Sequence, residues 1–141
     1  MLEPERQTQI DAEDINRLAL FHRIFAYLAG VGSLCGLPHF LFGFWFMVSP
    51  SQLQSDDMPP FFFGAIFMLA GGAVIALAIT LCILNFKTED ALKHRRNLTL
   101  IQVTAALNCL AQPLGLALGI YTFILTSRPT IRDQFSRAIS N

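Results

Sequence analysis

Any chemistry in this chain must come from a few polar side chains set in long apolar stretches, and the histidines are the first to consider. His39 lies in Pro38-His39-Phe40-Leu41-Phe42-Gly43-Phe44-Trp45-Phe46. An imidazole among aromatic rings has the means to ligate haem iron or the magnesium of a chlorophyll-type pigment. On a straight helix His22 would stand about 25 Å from His39 and about 100° away in azimuth, so the two cannot clamp one cofactor. With 13 Phe in the chain an aromatic neighbourhood is the default. His39 therefore also reads as a residue that hydrogen-bonds across a helix bundle or sits near its outer interface. His94, in a basic stretch, reads as a solvated loop residue.

Asn108 and Gln112 are the most polar residues deep in the last apolar stretch. Facing lipid unpaired, each amide would cost on the order of a few kcal/mol, so both are expected to face protein. They serve either as interhelical glue beside the Cys109 carbonyl that Pro113 leaves free, or, with Thr104, as the lining of a polar pocket or small pore. Cys35, Cys82 and Cys109 all fall in apolar stretches and read as packing residues, with neither a disulfide framework nor zinc spacing. The sequence has no phosphate-binding glycine loop and no nucleophile elbow. No Asp, Glu, Lys or Arg occupies the middle of an apolar stretch, which argues against a pump or coupled transporter. A non-enzymatic role with no dedicated metal site is the expectation, and nothing suggests nucleic acid as a partner.

The elements that must position these residues follow from the charges. Of 141 residues 53% are hydrophobic and 14% charged, with formal net charge zero. No charge occurs between Arg23 and Asp56, between Asp57 and Lys87, or between Arg96 and Arg128. Each gap is roughly 30 residues, longer than the ~20 that cross a hydrocarbon core. The expected fold is an all-α integral membrane bundle of three long helices over about 18–48, 61–86 and 98–126. A polar segment, 1–17, precedes them and an amphipathic tail, 127–141, follows. The N-terminus lacks the pattern of a cleavable signal, so the first span is expected to stay as an anchor.

The basic loop with Lys87, Lys93, Arg95 and Arg96 should be cytoplasmic, and so should the N-terminus with Arg6, Arg17 and Arg23. Three full spans would then put the tail, with Arg128, Arg132 and Arg137, outside, against the charge rule. Two arrangements of the third stretch compete. In one, a single helix is kinked at Pro113. In the other, a re-entrant hairpin turns at Gln112-Pro113-Leu114-Gly115. The kinked helix is preferred, because hairpin arms of about 18 to 22 Å cannot cross ~30 Å of hydrocarbon. In addition, Thr104, Asn108, Ala111, Gly115, Gly119, Thr122 and Thr126 keep one small or polar stripe in register through Pro113. In the tail, Thr130 to Asp133 has capping-box spacing. Ile131, Phe135, Ala138 and Ile139 would then form one face of a short helix lying at the membrane interface or docking a partner.

In lipid, helices associate through close backbone approach and interhelical hydrogen bonds. Gly32 with Gly36, Gly115 with Gly119, and more weakly Gly72 with Ala76 are the expected packing surfaces, joined by Asn108 and Gln112.

The order of motifs resembles a group of small bacterial inner-membrane proteins of uncharacterised function. The residues that carry the resemblance are Leu18-Ala19-Leu20-Phe21-His22, Pro38-His39 followed by Gly43, Lys93-His94-Arg95-Arg96-Asn97, and Pro113-Leu114-Gly115-Leu116-Ala117-Leu118-Gly119-Ile120-Tyr121-Thr122 before Arg128-Pro129. The last span of that group reads like PxGxxLGxYT, and the similarity runs from about Leu18 to Phe135. The group commonly has Thr where this chain has Leu116. The resemblance implies a multi-pass helical protein of the bacterial inner membrane and transfers no catalytic residue.

The first functional expectation is a non-catalytic accessory subunit or assembly factor that packs against other membrane protein subunits, for example in a respiratory or photosynthetic complex. The alternatives are a pigment- or haem-binding protein with His39 as ligand, and a small pore or lipid-interacting homo-oligomer.

Overall fold

The computed structural model describes residues 4–48, 60–111 and 113–139, and among these all regular structure is helical. The first loop and Gln112, an expected packing residue, lie outside the described residues. Helix α1 covers Pro4–Gly32. It opens on a proline, which has no N–H to leave unpaired, with acidic Glu5 in the first turn. The expected polar segment is thus already helical from residue 4. A 3-10 turn at Ser33–Cys35, where the Ser33 hydroxyl donates to the Gly30 carbonyl (2.6 Å), leads into α2, Gly36–Val48. Helix α3 spans Pro60–Lys93, α4 Leu98–Asn108, α5 Leu114–Thr126 and α6 Pro129–Ile139.

Glu5–Val48 and Phe61–Lys93 are each long and apolar enough to cross a membrane; a third candidate exists only if α5 and α6, bent by 78°, count as one broken span. The chain divides into two compact units, Met1–Tyr27 with Leu81–Asn141, and Leu28–Thr80.

In the Leu28–Thr80 unit, α2 and α3 meet through glycines. A methyl group on Gly36 would lie 2.8 Å from the Gly71 carbonyl oxygen, and one on Gly71 2.8 Å from that of Gly36. Two turns along, one on Gly43 would lie 2.6 Å from the Gly64 oxygen, and one on Gly64 2.8 Å from that of Gly43. The equal seven-residue spacing on both helices makes an antiparallel seam. This corrects the expected surfaces. Gly32 meets nothing within 4 Å, Gly72 only touches the Phe40 ring at 3.8 Å, and Ala76 is exposed. The 3-10 turn between Gly32 and Gly36 breaks their helical register. In an antiparallel pair, moreover, the seven-residue repeat decides which positions face the partner.

In the other unit the third apolar stretch is a hairpin, contrary to the preferred kinked helix. A methyl on Gly119 would lie 2.5 Å from the Ala105 carbonyl oxygen, and Gly115 sits against the Asn108 carbonyl and the Ala111 methyl. Pro113, which has no N–H to offer the Cys109 carbonyl, stands at the N-cap of α5. Gly115 and Gly119 then let α5 lie directly on α4. The small and polar stripe does not distinguish the two arrangements, because in the hairpin both arms turn that same face into the unit. With 11 and 13 residues, the arms are about 16 and 20 Å long, too short to cross hydrocarbon alone.

The core of this unit comprises Ile15 and Leu18 of α1, Leu92 of α3, Ile101 of α4, Leu125 of α5, and Ile131 and Phe135 of α6. On the apolar face of α6, Ile131 and Phe135 are thus buried against the chain itself, while Ala138 is exposed.

Candidate functional site

The polar residues of the Met1–Tyr27 and Leu81–Asn141 unit come together where four helices each turn one face inward. On α1 the buried positions are Asp11, Ile15, Leu18, Ala19, His22 and Ala26, a helical spacing that puts His22 in line with the core. Helix α3 brings Leu81, Asn85, Thr88, Glu89 and Leu92; α4 brings Ile101, Thr104, Ala105 and Asn108; α5 brings Leu118, Thr122, Leu125 and Thr126.

His22, Asn85, Asn108 and Thr122 are all fully buried and bond to one another. The Asn85 amide nitrogen donates to the Leu81 carbonyl (2.7 Å) and to Asn108 Oδ1 (2.9 Å), and Asn108 Nδ2 donates back to Asn85 Oδ1 (2.9 Å). A carbonyl can only accept, so the Leu81 bond fixes which way the Asn85 amide points. Asn85 Oδ1 therefore faces His22 Nδ1 as an acceptor, and the 2.6 Å contact requires the proton on Nδ1. His22 Nε2 lies 3.1 Å from Thr122 Oγ1, whose hydroxyl is also 2.7 Å from the Leu118 carbonyl. One turn along α3, Thr88 donates to Thr104 (2.9 Å), which is also within 2.9 Å of the Leu100 carbonyl.

Ion pairs surround this cluster. Glu89, 8% exposed at its side chain, accepts from Arg23 Nε (2.8 Å) and Lys93 Nζ (2.6 Å). Arg128 reaches Asp14 (2.8 Å) and Asp11 (3.5 Å), tying the start of α6 to α1. Asp11 Oδ1 also accepts from Gln7 (3.0 Å), and its Oδ2 is buried with no partner among the described residues. In the connection between α3 and α4, Arg95 and Asn97 take left-handed backbone conformations, φ 49° and 55°. The Arg96 and Arg95 amides close the end of α3 on the Ala91 and Leu92 carbonyls, the Schellman pattern. Arg95 donates to Gln134 of α6 (2.9 Å), and Asn97 caps α4 by accepting from the Leu100 amide (3.2 Å).

His39 lies elsewhere, in the Leu28–Thr80 unit, and is exposed. Its ring stacks on Phe67 (centroids 6.2 Å apart, planes at 16°) in a shallow recess with Pro38 and Phe42. Nδ1 faces the Cys35 carbonyl at 3.4 Å, which favours the neutral tautomer with its proton on Nδ1 and its lone pair on Nε2. His94 is exposed and bonds to the Asp90 carbonyl (2.9 Å). Cys35 is exposed, and Cys82 and Cys109 are half-buried; all three are free thiols.

Of the expected site residues, the structure brings Asn108, Gly115 and Gly119 together in one hairpin. Sequence reasoning missed the His22–Asn85 pair. The signal was present, since Asn85 is the one amide in the apolar stretch from Phe61 to Phe86, and an amide there needs a partner. Among the described residues no group of three or more His, Cys, Asp or Glu is placed to hold a metal ion. In comparisons with protein-family models, curated proteins and solved structures, nothing matches this chain.

Proposed function

We propose that this chain is a non-catalytic accessory subunit or assembly factor of a membrane protein complex. In this reading it resides in the bacterial inner membrane, as the resemblance to the small-protein group implies. Two helices cross the bilayer and the α4–α5 hairpin re-enters it, so the N-terminus, the basic loop and the tail share the cytoplasmic side. The hairpin thus removes the conflict between an external tail and its three arginines.

The observation that carries the reading is the closure of the polar network. His22, Asn85, Asn108 and Thr122 spend their hydrogen bonds on each other and on carbonyls of their own helices. Groups so engaged hold a fold in one arrangement. The outward faces, including Leu41, Phe44, Trp45 and Val48, are apolar and suited to lipid or to neighbouring helices.

The test is native size and composition after solubilisation from the source membranes in mild detergent. A large particle with stoichiometric partners is expected. Migration alone or as a homo-oligomer would overturn the proposal and favour a small pore or lipid-interacting oligomer.

One observation favours a second reading. His39 offers an Nε2 lone pair at an exposed site, backed by Phe67 and Phe42. That arrangement suits axial ligation of a haem or chlorophyll-type ring. It predicts visible absorbance in the purified protein that disappears in His39→Ala; a colourless native preparation rules it out.

A further inference from the structure

We infer that the groove at the junction of α3 and α4 is a headgroup site for an anionic phospholipid. The inference rests on the reading that α3 crosses a bilayer. The groove has a volume of about 660 Å³ and its lining includes Phe86, Lys87, Asp90, Arg96 and Leu100. That size is within the range of sites that take small molecules.

The position of the groove along the chain sets its depth. Helix α3 carries no charge from Phe61 to Phe86, and Lys87 is the first charged residue after that run. Lys87 therefore falls where hydrocarbon gives way to headgroups.

The groove also has the right charge. Lys87 is exposed and has no acidic partner among the described residues. Arg96 pairs with Asp90 through one guanidinium nitrogen, and its side chain stays 62% exposed. A guanidinium has five N–H donors, so most remain for a second acceptor. Two cations against one carboxylate leave the groove positive, and a phosphodiester presents two oxygens to a guanidinium as a carboxylate does. A soluble anion would use those charges alone. A phosphodiester that carries acyl chains would also use the wall formed by Phe86 and Leu100, and this identifies a lipid as the occupant.

The test uses the full chain in mild detergent, supplied with phosphatidylglycerol or phosphatidylcholine of the same acyl composition, with bound lipid counted by native mass spectrometry. Preferential retention of phosphatidylglycerol is expected. Lys87→Ala, which alters an exposed residue and leaves the fold intact, should weaken that retention about fivefold, and adding Arg96→Gln should weaken it further. Arg132→Ala, exposed on α6 outside the groove, should leave retention unchanged. Equal retention of the two lipids, or retention indifferent to Lys87→Ala, overturns the site. Displacement of the lipid by millimolar inorganic phosphate overturns the lipid assignment in favour of a soluble anion. Failure of the underlying membrane reading looks different: alkaline carbonate would then strip the chain from membranes.

Discussion

In the Leu28–Thr80 unit two helices meet through four glycines, and the side-chain hydrogen bonds of Ser33, His39 and Thr80 all stay local, within four residues along the chain. In the other unit the helices are joined by side chains: His22 to Asn85 and Thr122, Asn85 to Asn108, Thr88 to Thr104, Arg23 to Glu89 and Arg128 to Asp14. Both arrangements suit helices in lipid, where hydrophobic association is weak, one by bringing backbones close and the other by pairing polar groups. They should fail differently. A backbone seam has no slack, because a single added methyl meets another main chain. A polar network has several members, and losing one leaves others to regroup.

The sharpest break of the comparison is Gly43→Val or Gly71→Val. Each places atoms against facing backbone and should cost about 3 kcal/mol or more, read as loss of the folded fraction in a denaturation titration in detergent. Gly32→Ala, where nothing lies within 4 Å, should have no such cost, and an equal loss at Gly32 would refute the seam. Next comes Asn85→Leu, which leaves His22 Nδ1 and the Asn108 amide unpaired. At roughly 0.6 kcal/mol per interhelical side-chain hydrogen bond in a membrane protein, losing the bonds to His22 and Asn108 should cost about 1–2 kcal/mol. Because both amides serve one bond pair, Asn85→Leu with Asn108→Leu should cost less than the two singles summed. Strict additivity would mean that the two amides act independently.

Smaller still is Arg128→Ala, whose half-exposed side chain pairs with Asp14 and with buried Asp11, at a cost of about 1 kcal/mol. Its effect should be local, seen as faster tryptic cleavage at Arg132 and Arg137 while the detergent melting curve barely moves. The smallest is Arg95→Gly. Glycine relieves the left-handed backbone strain of about 1 kcal/mol but loses the bond to Gln134, so stability should change by less than about 0.5 kcal/mol. A large loss there would mean that the Arg95–Gln134 contact, and not the helix-end geometry, holds α6 in place.

How far these features were legible differs by length scale. Charge gaps located the apolar stretches because desolvating a charge in hydrocarbon is costly wherever the helix ends up. Asn108, Gly115 and Gly119 stood out for a similar reason, as residues that make sense only against another helix. Facing register is another matter. The match of Gly36 and Gly43 to Gly71 and Gly64 is visible once the two helices are known to run antiparallel, yet four-residue spacing paired Gly36 with Gly32, pointed to Gly72 and Ala76, and passed over Gly43, Gly64 and Gly71. The turn at Pro113 was legible only as the competing arrangement that the arginines of the tail favoured, since a proline interrupts a helix without saying how far the chain then swings. His22 and Asn85 are 63 residues apart, and their pairing is a property of how α1 and α3 are rotated, which no local spacing encodes.

The bond from Arg128 to Asp14 joins residues 114 apart, nearly the full length of the chain. During synthesis the glycine seam has all its members once residue 71 has emerged. The network around His22 waits for Thr122, and the anchoring of α6 waits for Arg128 and Gln134. Until Thr122 has been made, His22 and Asn85 stand in a half-built unit. The order in which the chain is made thus completes the glycine seam before the polar network.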